Sequence, residues 1–544
     1  MEKINRRSAL KMVAGSTALL SATKFSLGAP QVKKSSDKPN VLFLMADQFR
    51  FDAIAALGNR IVYTPNLNRL VDRGFAFTNT YSPCPVCVPA RYCIRTGCHP
   101  PTTGVFCNEW PHPGPNQAPT VTGRCGPYLA QTMTNLGYRT FGVGKFHTLP
   151  WNEQIGYEAY LQSQELYGSP EQRRGDDYAS WIATKHSDFN FIEGLMGERT
   201  EMYYMPQMSP LPAGLTVEGW AATRAVEQIN RQDGRPYFGF VSFIGPHPPF
   251  APPIPFNRLY DPDRMPNSIL GDLDTDFMDE QIPWMNYGVW ADDIHQSHAR
   301  VLKARYYGEI TYIDACIGRI LDAVEKRGDS ENTVICFFSD HGDHLGDHHG
   351  WQKESFFEQS CHVPLLVSWP AKIAAGHTRN DLACLVDLFG IVTGAAGHQE
   401  LREGSDILGL ATGTPQERRN LVTFYGDPGS HQFKVMVRFG QWKYIFMANG
   451  GREQLFHLGD DPNELTNLAQ ARSDVREQLY RVAFAECQRR ELQSVLNGDD
   501  LRELPFRARP LQRIYQFDRS RGVTGFPSSP EDVLKRGQNL SASI

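Results

Sequence analysis

Short, unbroken apolar runs punctuate this chain, and each one ends in polar residues. Asn40-Val-Leu-Phe-Leu-Met-Ala46, Arg139-Thr-Phe-Gly-Val-Gly144, Tyr237-Phe-Gly-Phe-Val-Ser-Phe-Ile244 and Thr333-Val-Ile-Cys-Phe-Phe338 show no alternation of apolar and polar positions. Such runs predict strands covered on both faces, as in a parallel sheet between helix layers. Segments of helical period lie between them. A helix capped by Thr64-Pro65 runs through Leu67, Leu70 and Val71 to Gly74, and others cover 128–136 and 217–231. A long one covers 300–326, with Ile310, Ile313, Ile317, Ile320, Leu321 and Val324 at helical spacing. After residue 416 the pattern turns to short strands with a polar face at 422–425, 434–438 and 442–446, then a helix at 474–496. The fold class is α/β: a large mixed, mostly parallel sheet sandwiched by helices over 38–415, and a smaller C-terminal α+β subdomain with an antiparallel sheet over 416–500. The Arg-, Pro- and Ser-rich tail at 501–544 reads either as an arm embracing another subunit of a homo-oligomer or as disordered chain.

The 544 residues suffice for one large domain and a smaller one. With 55 Lys and Arg against 60 Asp and Glu, the net charge of −5 gives no sign of a nucleic-acid partner. At the N-terminus, Arg6-Arg7 and Leu10-Lys11 lead into a short apolar run, Met12 to Ala22. This reads as a twin-arginine export signal within 1–30, or alternatively as a basic disordered tail. The run is too short for a stable membrane anchor, so the reading is an exported protein, periplasmic or extracellular. Eleven cysteines are many for a cytosolic chain. Cys316, Cys336, Cys361, Cys384 and Cys487 sit in apolar surroundings and read as small core residues. Cys84, Cys87, Cys93, Cys98, Cys107 and Cys125 cluster, and by themselves admit a zinc or iron–sulfur site.

The candidate chemistry lies where the strands stop. In open α/β sheets ligands gather beyond the carboxyl ends of the strands. There the four runs deliver Asp47-Gln48, Lys145 and His147, His247, and Asp340-His341. Two carboxylates, an amide oxygen and an imidazole form a mostly hard set of donors for a divalent cation. Beside them, Cys87-Val-Pro-Ala-Arg91 opens a helix, with Pro89 in its first turn and Gly97 to stop it. Cys87 therefore stands at a helix N-terminus, with Arg91 and Arg95 four and eight residues on, stacked on one face behind it.

Cys87-x-Pro-x-Arg91 followed by Thr96-Gly97 resembles the signature of the type I, formylglycine-dependent sulfatases of the alkaline phosphatase superfamily. Gly144-Lys145-Phe146-His147, Gly245-Pro246-His247, Trp351-Gln352-Lys353 and the Gln454–Leu468 stretch are similar to further motifs of that family, so the resemblance spans most of the chain. It implies an alkaline-phosphatase-like fold. It also implies a Cys87 oxidised to formylglycine (3-oxoalanine) by a formylglycine-generating or sulfatase-maturating enzyme. The aldehyde hydrate, bound to the metal and activated by Asp340, attacks sulfur. Lys145 and Lys353 hold sulfate oxygens, His247 protonates the leaving oxygen, and His147 helps deprotonate the second hydroxyl to expel sulfate while Arg91 holds the hydrate. The implied metal ligands are Asp47, Gln48, Cys87, Asp340 and His341, with Ca2+ expected and Mn2+ open. Gln48 stands where the family usually has a second acid, and His341 where it has Asn or His, a variant that also resembles choline-sulfatase-like enzymes and phosphonate monoester hydrolases. The expected substrate is a sulfated saccharide. A phosphonate monoester or phosphodiester hydrolase is the alternative, and a binding protein with unconverted Cys87 is the rival outside catalysis. His344, His348 and His349 read as supporting or solvated residues. Asn108, Glu109, Trp110 and His112 are weak substrate-contact candidates. Aromatics between Trp151 and Tyr204 admit either a sugar-stacking wall or packing under loops.

Overall fold

A computed structural model describes residues 38–108, 120–165, 170–190, 204–272, 279–289, 294–411, 413 and 418–509. The proposed leader at 1–30, the tail beyond 509, and Glu109, Trp110, His112, Tyr167 and Tyr203 lie outside the described residues.

The first strand, β1 (Asn40–Ala46), explains why its run has no polar position. Leu42, Leu44 and Ala46 join one buried cluster with helices Val217–Asn230 and Gln296–Arg327, while Val41, Phe43 and Met45 join a second with helix Cys87–Thr96. With both faces apolar, an alternating pattern would bury polar groups without partners. On the second face the Phe43 ring meets Phe238, Phe240 and Phe338 edge-on at centroid separations of 5.0–5.7 Å.

Strands β2 (Phe75–Tyr81), β3 (Arg139–Gly144), β4 (Ala159–Gln162), β5 (Tyr237–Phe243), β6 (Thr333–Phe338), β7 (Leu365–Ser368) and β8 (His377–Cys384) complete an eight-stranded sheet. Its order is β4-β3-β5-β1-β6-β7-β2-β8, and β7 alone runs against its neighbours. The four strands that end in candidate residues, β3, β5, β1 and β6, are therefore adjacent and parallel, so their carboxyl ends open on one place.

A second sheet is antiparallel: β9 (Asn420–Tyr425), β10 (Lys434–Phe439), β11 (Trp442–Met447) and β12 (Arg452–His457), paired in sequence order. Helix Ser473–Arg489 packs on it, ending earlier than the spacing predicts because a 3-10 turn takes over at Gln493–Val495. Residues as far as Arg507 also lie against this sheet: Leu504 N donates to Ala448 O at 2.8 Å and Arg507 N to Asn449 Oδ1 at 2.8 Å.

The sheets are joined by a buried charge cluster. Lys443 of β11 is fully buried and bridges Glu358 (2.9 Å) and Glu464 (2.7 Å). Burial pushes the Glu464 carboxyl up to about 7, whereas Lys443 and His362 overcome burial at Glu358 and hold it well below the usual range. Lys443→Met leaves two buried carboxylates facing each other without the ammonium between them. Chemical denaturation is expected to show a loss of roughly 3–5 kcal/mol.

Candidate active site

The backbone is bent to deliver the side chains. Gly144 ends β3 at φ 103°, where a Cβ would overlap Ser242 O, so glycine is required one residue before Lys145. Gln48, His147, Gln352 and Glu354 all take positive φ, at 62°, 50°, 72° and 73°. Four non-glycine residues in the left-handed region around one site mark local strain held by the surrounding fold.

Cys87 is the first residue of helix Cys87–Thr96, and Gly97 closes that helix in the left-handed conformation, its N–H bonded to Cys93 O at 2.8 Å. The fully buried thiol lies 3.1 Å from His341 Nε2, 3.8 Å from Asp47 Oδ1 and 3.9 Å from Lys145 Nζ. Burial and the neighbouring Asp47 push its pKa far up, so the group is a protonated thiol and not a thiolate. Behind it Arg91 spans both acids, with Nη2 2.7 Å from Asp47 and Nε 2.9 Å from Asp340, and Nη1 donates to Ser242 Oγ at 3.1 Å and to Lys145 O. Arg95 does not join it. Its guanidinium lies 4.6 Å over the Tyr92 ring and donates to Phe146 O, which corrects the expected stack of two arginines behind the cysteine.

One donor atom each from Asp47, Cys87, Asp340 and His341 lies within 4.8 Å of the others, all four buried. Burial and Lys353 lower the His341 pKa, which leaves its Nε2 able to ligate, and Nδ1 is fixed by Gly342 O at 3.0 Å. Burial opposes ionisation of Asp47, but Lys145 (2.6 Å) and Arg91 hold its pKa well below the usual range. Two carboxylates and a neutral imidazole fit a divalent cation. The Gln48 carboxamide is turned elsewhere: its oxygen accepts from Lys353 Nζ at 2.7 Å, while Nε2 donates to Asp343 and lies 3.3 Å from Tyr204 OH. Gln48 thus stands between the donor cluster and Lys353.

Lys353 Nζ also reaches His247 Nε2 at 3.0 Å, and His247 Nδ1 bonds to Pro248 O at 2.9 Å. Burial, then Lys353 and Lys145, push the His247 pKa well down, against Glu165, which raises it. His147 makes no such bond: its buried Nδ1 has no hydrogen-bond partner among the described residues, and burial with Lys145 lowers its pKa to about 3.

Sequence reasoning missed Glu165 and Asp343. Asp343 had a signal, lying three residues after Asp340; Glu165 had none, and Tyr204, read only among the aromatics of its region, donates to Asp343 at 2.7 Å. The weak candidate Asn108 accepts from Val88 N at 2.9 Å and so caps the nucleophile helix. Tyr157 and Tyr160 pack on Phe146, and Tyr178 and Trp181 pack together, so these four aromatics are packing residues. The cysteine-cluster alternative also falls: among the described residues the one metal-competent group contains a single cysteine, Cys87.

His344 and His348 brace the segment that follows Asp340-His341. His344 Nε2 meets Ser355 Oγ at 2.7 Å, and His348 stacks on Phe357 at 3.9 Å. Burial lowers both pKa values to about 3. Below the unfolded value near 6.5 the unfolded chain binds protons that the native fold refuses. Stability is therefore intact above about pH 6.5 and falls toward pH 3 by up to about 1.4 kcal/mol per unit for each histidine. Denaturation midpoints between pH 7 and 5 should show this slope, and His344→Gln should flatten it.

The Sulfatase family model matches residues 39–398, and that for N-sulphoglucosamine sulphohydrolase, C-terminal, matches 346–485. The chain belongs to the sulfatase family, within the alkaline phosphatase superfamily, and is a sulfuric ester hydrolase. It is 27% identical to an arylsulfatase of Clostridium perfringens over 79% of this chain and 90% of the relative. It is 24% identical to an N-acetylglucosamine-6-O-sulfatase of Bacteroides thetaiotaomicron, over 83% and 87% respectively. Its fold is that of a phosphonate monoester hydrolase of Agrobacterium radiobacter, with a TM-score of 0.67 and 24% identity over 84% of this chain and 96% of that one. No helix among the described residues is long and apolar enough to cross a membrane.

Proposed function

We propose that this chain is an exported sulfatase acting on a sulfated carbohydrate, with residue 87 converted to formylglycine beside a divalent cation. The observation that carries the reading is the buried cluster in which the Cys87 side chain meets Asp47, Asp340, His341 and Lys145 at the ends of three parallel strands. A thiol held protonated is a poor nucleophile, and sulfation would leave it as a stable thiosulfate-type adduct. An aldehyde hydrate has a second hydroxyl that can expel sulfate. The carbohydrate assignment draws on the N-acetylglucosamine-6-O-sulfatase relative, and export on the Arg6-Arg7 leader.

Asp47, Asp340, His341 and residue 87 would hold the cation. Calcium suits the carboxylates, and the imidazole leaves manganese open. When bound, it supplies Lewis-acid polarisation of the nucleophile and of a sulfate oxygen. Arg91 fixes both carboxylates against residue 87. The Lys145 and Lys353 ammonium groups face the sulfate oxygens and offset charge developing during attack on sulfur. With Nδ1 donating to Pro248 O, Nε2 is the His247 atom left to face the leaving oxygen, and it passes on a proton once the charge of the bound ester offsets burial and the two lysines that hold the free imidazole neutral. His147, neutral at working pH, serves as base for the release of sulfate. The domains are read as a catalytic unit over 38–415, a subdomain over 416–500 and a tail from 501 whose first residues, as far as Arg507, pack on that subdomain.

The test is a panel of defined sulfated saccharides, an aryl sulfate and an aryl phosphonate, with protein made alongside a formylglycine-generating enzyme. A desulfated saccharide is expected, with kcat/KM above that for the phosphonate. A large preference for the phosphonate would instead assign a phosphonate monoester hydrolase, consistent with Gln48 and His341.

A further inference from the structure

Lys145, His247 and Lys353 surround a carboxylate that no motif announces. Glu165 lies three residues beyond β4, on backbone tied down on two sides. Ser163 N donates to Gly144 O at 2.9 Å, and Gln164 N donates to Asp176 at 2.6 Å, the residue that caps helix Asp177–Lys185. The Glu165 side chain is buried. One of its oxygens, Oε2, is ion-paired with Lys145 Nζ, and the other, Oε1, lies 3.4 Å from His247 Nε2.

These are two of the groups that the proposed function assigns to a sulfate oxygen and to the leaving oxygen. One carboxyl group therefore makes, with its two oxygens, the contacts that two oxygens of a sulfate ester require. Lys145 has three N–H bonds. Asp47 takes one at 2.6 Å and Glu165 a second, which leaves one on the side of Cys87 at 3.9 Å. A sulfate entering this cradle has to share Lys145 with a fixed anion and accept repulsion from it where water is excluded.

We infer that Glu165 is a built-in competitor of sulfate, a further active-site residue that sets how tightly ester and product are held. The inference rests on the proposed function. By weakening the ground states of substrate and product alike, Glu165 raises KM without taking stabilisation from the transition state alone, and it frees the site of sulfate after each turnover. A carboxylate with a purely structural role would act the other way: its loss would loosen Lys145 and weaken sulfate binding.

The experiment uses the full chain, metal-loaded and carrying formylglycine, with aryl sulfate as substrate and inorganic sulfate as inhibitor at constant ionic strength. Glu165→Gln keeps the shape and removes the charge. Its inhibition constant for sulfate and its KM should both fall about tenfold or more, with no rise in kcat. Glu165→Asp, which withdraws the charge by one methylene, should tighten sulfate to a lesser degree, and it carries the test if the glutamine variant does not fold. Unchanged or weaker sulfate inhibition in a folded variant of wild-type metal content overturns the inference alone. A matured wild-type enzyme that neither cleaves aryl sulfate nor binds sulfate overturns the proposed function and the inference with it.

Discussion

Cys87→Ala should give a folded protein whose hydrolysis of aryl sulfate is slower by a factor on the order of 10^4 to 10^6. The side chain at 87 is the nucleophile in this reading, and nothing among the described neighbours can replace it. Asp47 and Asp340 are committed to Arg91, and His341 Nε2 faces Cys87 itself. Alanine removes one buried side chain from a helix start whose other contacts persist, including Val88 N to Asn108, so melting should change little. Wild-type chain made without a maturing enzyme should be equally inactive, because burial and Asp47 keep its thiol protonated. Initial rates and thermal melting of the three proteins check both halves.

The second large effect concerns the cation. Chelation of the matured enzyme, or Asp340→Asn, should lower kcat/KM by a factor on the order of 10^3. Calcium or manganese should restore the chelated wild type but not the variant. Asp340 is the acid that shares Arg91 with Asp47 and presents Oδ1 to Gln48 N at 3.2 Å. Its neutral amide would leave one full carboxylate among the donors and loosen the guanidinium that aligns them. Metal content by elemental analysis, measured beside the rates, separates lost ligation from lost alignment.

The central strands were legible because residues buried on both faces leave an apolar run that nothing else in a soluble chain requires. Their parallel order then brought Asp47, Lys145, His247 and Asp340 together. The nucleophile helix was legible for local reasons, in Pro89, Gly97 and the four-residue step to Arg91. Arg95 misled because the same periodicity places it on that face, whereas its guanidinium is drawn to the Tyr92 ring and Phe146 O. For Gln48, the direction of the amide is decided by Tyr204, Asp343 and Lys353, which approach from 156 to 305 positions away. Glu165 was invisible for the same reason: its partners lie just beyond β3 and β5, and its own neighbourhood shows no periodicity.

The most direct measurement is the mass of the peptide carrying residue 87 after maturation in an exporting bacterial host, paired with turnover of the same sample. Sulfur replaced by oxygen with loss of two hydrogens, in proportion to the activity recovered, is the expected result. Full turnover from protein whose Cys87 peptide keeps its intact thiol mass would contradict the formylglycine mechanism.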